Sequence, residues 1–91
     1  MKTKITGLKK VVSELKNAQF GAIYLNRNTG KLEAYEQVSQ NFIPYNVNEG
    51  FEHIDYIGSY NRQYGQLTMD SLRDMVREHL NDTDQLDNFT F

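Results

Sequence analysis

Apolar residues recur along the first third of the chain with two different periods, and the change of period marks the first element boundary. Between Gly7 and Asn17, Leu8, Val11, Val12 and Leu15 fall at i, i+3, i+4 and i+7. That is one stripe of an amphipathic helix, with Lys9, Lys10, Ser13 and Lys16 on the other side. Thr6 is the expected N-cap, and Asn17 and Gly21 supply stop signals. From Gly21 to Val38 the pattern changes. Ile23, Tyr24 and Leu25 on one side, and Leu32, Ala34 and Tyr35 on the other, flank the polar run from Asn26 to Gly30 and predict a β-hairpin. A four-residue loop, Arg27 to Gly30, built on a type I turn and ending with Gly30 in the left-handed region, sets Leu25 opposite Leu32 and Ile23 opposite Ala34. A three-residue loop would set Leu25 against Glu33, so hydrophobic matching selects the longer one.

Beyond the hairpin, Asn41, Pro44, Asn46, Asn48 and Gly50 punctuate a loop from Ser39 to Gly50. Its apolar members Phe42, Ile43, Tyr45 and Val47 are expected to fold back over the sheet. Phe51 to Ile57 then reads as a third strand, with Phe51, His53, Asp55 and Ile57 on one face and Glu52, Ile54 and Tyr56 on the other. Gly58 to Gln66 reads as a connecting loop. The last helix has the clearest start: Thr68 at the N-cap, Leu67 and Leu72 as a hydrophobic staple, and Asp70 in the first turn, where it favours the helix dipole. Met69, Leu72, Val76 and Leu80 form its expected buried stripe, flanked by Met75 and His79. Asp70, Arg73, Asp74, Arg77 and Glu78 lie outside. The element order predicts a small single-domain α+β fold over residues 1–81, an antiparallel three-stranded sheet with an N-terminal and a C-terminal helix packed on it (α-β-β-β-α). Residues 82–91 form an acidic C-terminal tail that is frayed and flexible, docked on its own domain, or a short motif for another protein.

Composition sharpens this picture in two places. The 91 residues include no cysteine, which removes disulfides, thiolate nucleophiles and sulfur-ligated zinc together and leaves stability to packing. No apolar run approaches the roughly 20 residues of a membrane span, and the first twenty residues lack a signal-peptide core, so a cytoplasmic setting without membrane contact is expected. The net charge of −2 hides an asymmetry. Seven basic residues face the lone Glu14 through Lys31, whereas three arginines face eleven carboxylates beyond it. Such a split serves either two oppositely charged surfaces or attraction between the halves within the fold.

Candidate chemistry is sparse. There is no phosphate-binding glycine loop, no GxSxG, no HExxH and no repeat of solenoid length. His53 and Asp55 share a strand face and, with His79, are the one set that could hold a metal for hydrolysis. A satisfied surface histidine is the simpler account of each. The stretch GSYNRQYGQ mixes tyrosines with Ser, Asn, Gly and Arg, the makeup of adaptable contact surfaces, although the same residues also suit a plain connecting loop. The expectation is a non-enzymatic interaction module, with no cofactor, that binds another macromolecule, foremost a protein. The expected partner-binding residues are Tyr56, Tyr60, Arg62, Tyr64, Asp74 and Glu78. An accessory or inhibitor protein of phage or mobile-element type in bacteria would fit that composition. Single-stranded nucleic acid, with Tyr60 and Tyr64 stacking on bases and the N-terminal lysines on phosphates, is the second expectation.

An edge strand left unpaired is a template for a second copy. Two copies paired through Phe51 to Ile57 about a two-fold axis would bring Glu52, His53 and Asp55 near their symmetry mates, where the carboxylates repel. A monomer or a weak homodimer is therefore expected in sedimentation velocity at micromolar concentration. A tight dimer that survives substitution of the third strand would contradict the edge argument.

Overall fold

The computed structural model describes residues 2–37 and 53–91, and the hairpin supplies the central strand and one edge of its sheet. Strands β2 (Phe20–Asn26) and β3 (Leu32–Gln37) pair antiparallel with Leu25 opposite Leu32 and Ile23 opposite Ala34, the register that hydrophobic matching selects. The loop between them closes through the Asn26 N–H donating to the Lys31 carbonyl at 2.9 Å and the Gly30 N–H donating to the Asn26 carbonyl at 2.8 Å. The Asn26 side-chain oxygen accepts from the N–H groups of Asn28 and Thr29, which fixes the first half of the loop. Gly30 has φ 76°, and a Cβ there would overlap the carbonyl oxygen of Lys4. The expected loop Ser39 to Gly50 lies outside the described residues.

The third strand departs from expectation. β4 (Ile54–Asn61) pairs antiparallel with the other edge of β2, giving the strand order β3-β2-β4. Phe51 and Glu52 of the predicted strand lie outside the described residues, and Gly58 to Asn61, read from sequence as loop, is strand. The reason is tertiary. Ile23 faces Gly58 while Tyr24 faces Tyr56, so Ile57 is an extra residue in a bulge. Gly58 then sits beneath a helix, where a Cβ would come within 3.2 Å of the Met75 sulfur. A residue with poor strand propensity is retained because the helix approaches there. The bulge also reverses the alternation, so Tyr60 joins the main core while Tyr56 and Ile54 belong to the opposite face.

Helix α1 (Leu8–Leu15) buries Val11 and Leu15, and α2 (Met69–Asp82) buries Leu72, Val76 and Leu80. The expected Thr6 cap on α1 is not made. Gly7 occupies the N-cap, because the backbone of Thr6 is held in a bridge to the hairpin, its N–H donating to Gly30 and its carbonyl accepting from Leu32, both at 2.9 Å. The Thr68 cap on α2 is made: Ser71 N–H donates to the Thr68 hydroxyl at 3.1 Å and Thr68 N–H to the Ser71 hydroxyl at 3.0 Å. Met69, expected in the buried stripe, is exposed in the first turn.

Two short strands complete the described structure. β1 (Thr3–Lys4) and β5 (Phe89–Thr90) pair in parallel, Thr3 with Phe89, and a 3-10 turn at Leu86–Asn88 precedes β5. Phe89 is buried, and the Arg77 guanidinium lies 5.2 Å from the centre of the Phe91 ring. One cluster joins Ile5, both helices, one face of the sheet and Phe89. On the other face Tyr24 is buried with Ala22, its ring 5.6 Å from Tyr35 and 5.5 Å from Tyr56.

Gly30→Ala combines a left-handed backbone with an overlap on Lys4, so a loss of about 2 kcal/mol or more is expected, read as a lower midpoint in urea. An unchanged midpoint would show that the loop can close in another geometry.

Candidate functional site

Two places gather polar side chains from separate elements. The first centres on Asp55, whose side chain is only 18% exposed. One carboxylate oxygen accepts from Arg27 Nε at 3.0 Å. The other accepts from His79 Nε2 at 2.9 Å and Gln85 Nε2 at 3.1 Å. The hairpin loop, β4, the end of α2 and the turn after it thus meet on one carboxylate. The Gln85 amide also donates to the Thr83 hydroxyl at 2.7 Å, which in turn donates to the His79 carbonyl at 2.9 Å. Of the sequence-derived trio, Asp55 and His79 come together, whereas His53 takes part through its backbone, its carbonyl accepting from the Arg27 N–H at 2.8 Å. Among the described residues no group of three or more His, Asp or Glu could hold a metal ion. The donors around Asp55 make this a tie between elements.

The second place is an open groove of about 490 Å³ where β4 ends and α2 begins. Phe20, Tyr60, Asn61, Tyr64 and Leu67 line it, with Ser71 from the first turn of α2. The chain leaves β4 through a 3-10 turn at Arg62–Tyr64, which Asn61 caps by accepting from the Gln63 N–H at 3.0 Å. It then returns through Leu67 to the α2 cap. That reversal gives the groove its second wall. Tyr60 is 5% exposed, and among the described residues its hydroxyl and the Asn61 side-chain nitrogen are buried without a hydrogen-bond partner. A buried polar atom without a partner costs about 1–3 kcal/mol, so two on adjacent residues require an explanation.

The residues singled out from sequence fall on three surfaces. Tyr60, Arg62 and Tyr64 are at the groove end of β4, with Tyr64 78% exposed and Tyr60 buried. Tyr56 belongs to the opposite sheet face, against Tyr24, with its hydroxyl bonded to that of Ser59. Asp74 and Glu78 are exposed on α2, Asp74 paired with Arg77 at 3.5 Å. Helix α1, which carries Lys9 and Lys10, packs mainly against β3 and α2 against β4, the two opposite edges of the sheet, although Leu15 at the end of α1 lies against Gly21, the partner of Tyr60. Part of the basic excess is used internally: Lys10 and Lys31 pair with Glu33, and Arg27 with Asp55. Phe20, Leu67 and Ser71 are not read from sequence as site residues. Phe20 gives no sequence signal of a groove, because it reaches the site only through its pairing with Asn61.

Asp55→Ala leaves the donors of Arg27, His79 and Gln85 without their shared acceptor, so a loss of about 1–3 kcal/mol is expected by urea denaturation. Arg27 is more exposed, and Arg27→Ala is expected to cost less than about 1 kcal/mol. Equal costs would show that the tie depends on the Arg27 pair alone.

The chain matches no protein-family model, no curated protein and no solved structure, so function has to be argued from these residues themselves.

Proposed function

We propose that the protein is a non-enzymatic interaction module that binds another protein through the groove between β4 and α2. The observation that carries this reading is the pair of buried, unpartnered polar atoms, on Tyr60 and Asn61, in the wall of an open groove. A partner that supplies their missing bonds and covers the exposed Tyr64 ring gains area and directional contacts together, the combination found at the centre of protein interfaces. Such a module acts by occupancy, as an accessory or inhibitor protein does. The Asp55 cluster supports the same reading, because its acidic group is committed to three donors that hold elements together.

The test is affinity capture with the whole chain, identification of what is held, and titration of the purified partner against wild type and Tyr64→Ala. Tyr64→Ala is expected to weaken binding at least about tenfold, the loss typical of a central aromatic contact. Its unfolding midpoint should match wild type, because Tyr64 is exposed. Unchanged affinity would remove the groove as the binding surface.

A further inference from the structure

The groove runs along a strand edge whose outward backbone groups pair with no other strand among the described residues. The Arg62 N–H donates to the Gln19 carbonyl at 2.9 Å, which makes Arg62 and Gln19 a hydrogen-bonded pair of the β2–β4 ladder. Alternation then makes Tyr60 opposite Gly21 a bonded pair as well. Asn61 opposite Phe20 and Ser59 opposite Ala22 are the intervening pairs, so the N–H and carbonyl groups of Ser59 and Asn61 point away from β2. Among the described residues no strand pairs with that side of β4. Ser59, Tyr60 and Asn61 all line the groove although their side chains alternate between faces, as expected if the strand edge itself forms the wall.

The unpartnered side-chain atoms of this wall can both donate. Among the described residues no Asp or Glu lines the groove. The Tyr60 hydroxyl and the Asn61 amide nitrogen both lack an acceptor. Arg62, the next residue, is exposed and makes no ion pair among the described residues. The first turn of α2, a 14-residue helix, contributes Ser71, so the positive end of the helix dipole lies at the same place. An internal peptide segment brings donors and acceptors in equal number, whereas a chain end brings a carboxylate, which only accepts.

We infer that the groove receives the free C-terminus of a partner protein, added as a short strand along Ser59–Asn61 with its carboxylate toward Tyr60 and Arg62. This rests on the binding role proposed above and specifies the partner's chemistry. Backbone bonds along the edge supply affinity that tolerates sequence, and the carboxylate fixes where the added strand stops.

A library of random heptapeptides displayed with free C-termini is selected on the intact protein, and the best peptide is synthesised as the free acid and as the C-terminal amide. Fluorescence anisotropy is expected to show the amide binding at least tenfold more weakly than the acid. Tyr60→Phe is expected to bind the acid at least fivefold more weakly while unfolding at the same or a higher midpoint, because the free protein loses an unpaired buried hydroxyl. A purely structural tyrosine would not separate the two readouts. Peptides that bind equally as acid and amide, and lose affinity in Tyr64→Ala, would overturn the carboxylate inference and leave the groove as a protein-binding site. No enriched peptide, or binding indifferent to Tyr64→Ala, would overturn both.

Discussion

Five consecutive residues of β2, Gly21 to Leu25, are buried, and the other described elements are arranged to make that so. A strand can be hidden along such a run only if both edges are paired and both faces are covered. β3 and β4 take the edges; Val11, Leu15, Leu72, Val76 and Leu80 of the two helices join Ile23 and Leu25 in one core. On the other face Tyr24 lies between Tyr35 and Tyr56. With its central strand committed in this way, the unpaired strand sides among the described residues lie at the sheet's edges, and the end of β4 is where an edge and a cavity coincide.

The parts of the fold that sequence made legible are those set by near neighbours. Leu25 opposite Leu32 follows from loop length and period, and the Thr68 cap follows from residues three apart. β4 was only half legible. Its bulge at Ile57 and its glycine under Met75 depend on a helix more than ten residues later, and Gly58 and Ser59 carry the composition of a turn. Thr6 failed as a cap for a similar reason, since the hairpin claims its backbone first. The groove was legible only through Tyr60 and Tyr64; Phe20 enters it through strand register, and the unpaired atoms exist only once the strand is formed. His53 and Asp55 lie two apart in sequence, and sequence could not show that Arg27, His79 and Gln85 converge on Asp55 alone.

Charge follows the same logic. A basic first third and an acidic remainder invite a search for two partner surfaces, yet Lys10, Lys31 and Arg27 meet Glu33 and Asp55 within the chain. Exposed pairs of this kind contribute little stability, and their effect is to favour one arrangement of elements over another. Asp55 is less exposed and more fully bonded, and it links the hairpin loop to the end of α2.

The parallel pairing of Thr3 with Phe89 sets an order on folding. The hairpin closes over four residues and the α2 cap over three, whereas β1 and β5 meet only after nearly the whole chain has been brought back on itself. Closure entropy rises with the logarithm of loop length, so this contact forms late and is stable only once the core beneath it exists. It is also short, two residues on each strand, and so it is the part of the ladder that opens first. Opening it uncovers Phe89 and Ile5, both members of the main core, and makes the seam between β1 and β5 the route by which solvent first reaches the interior.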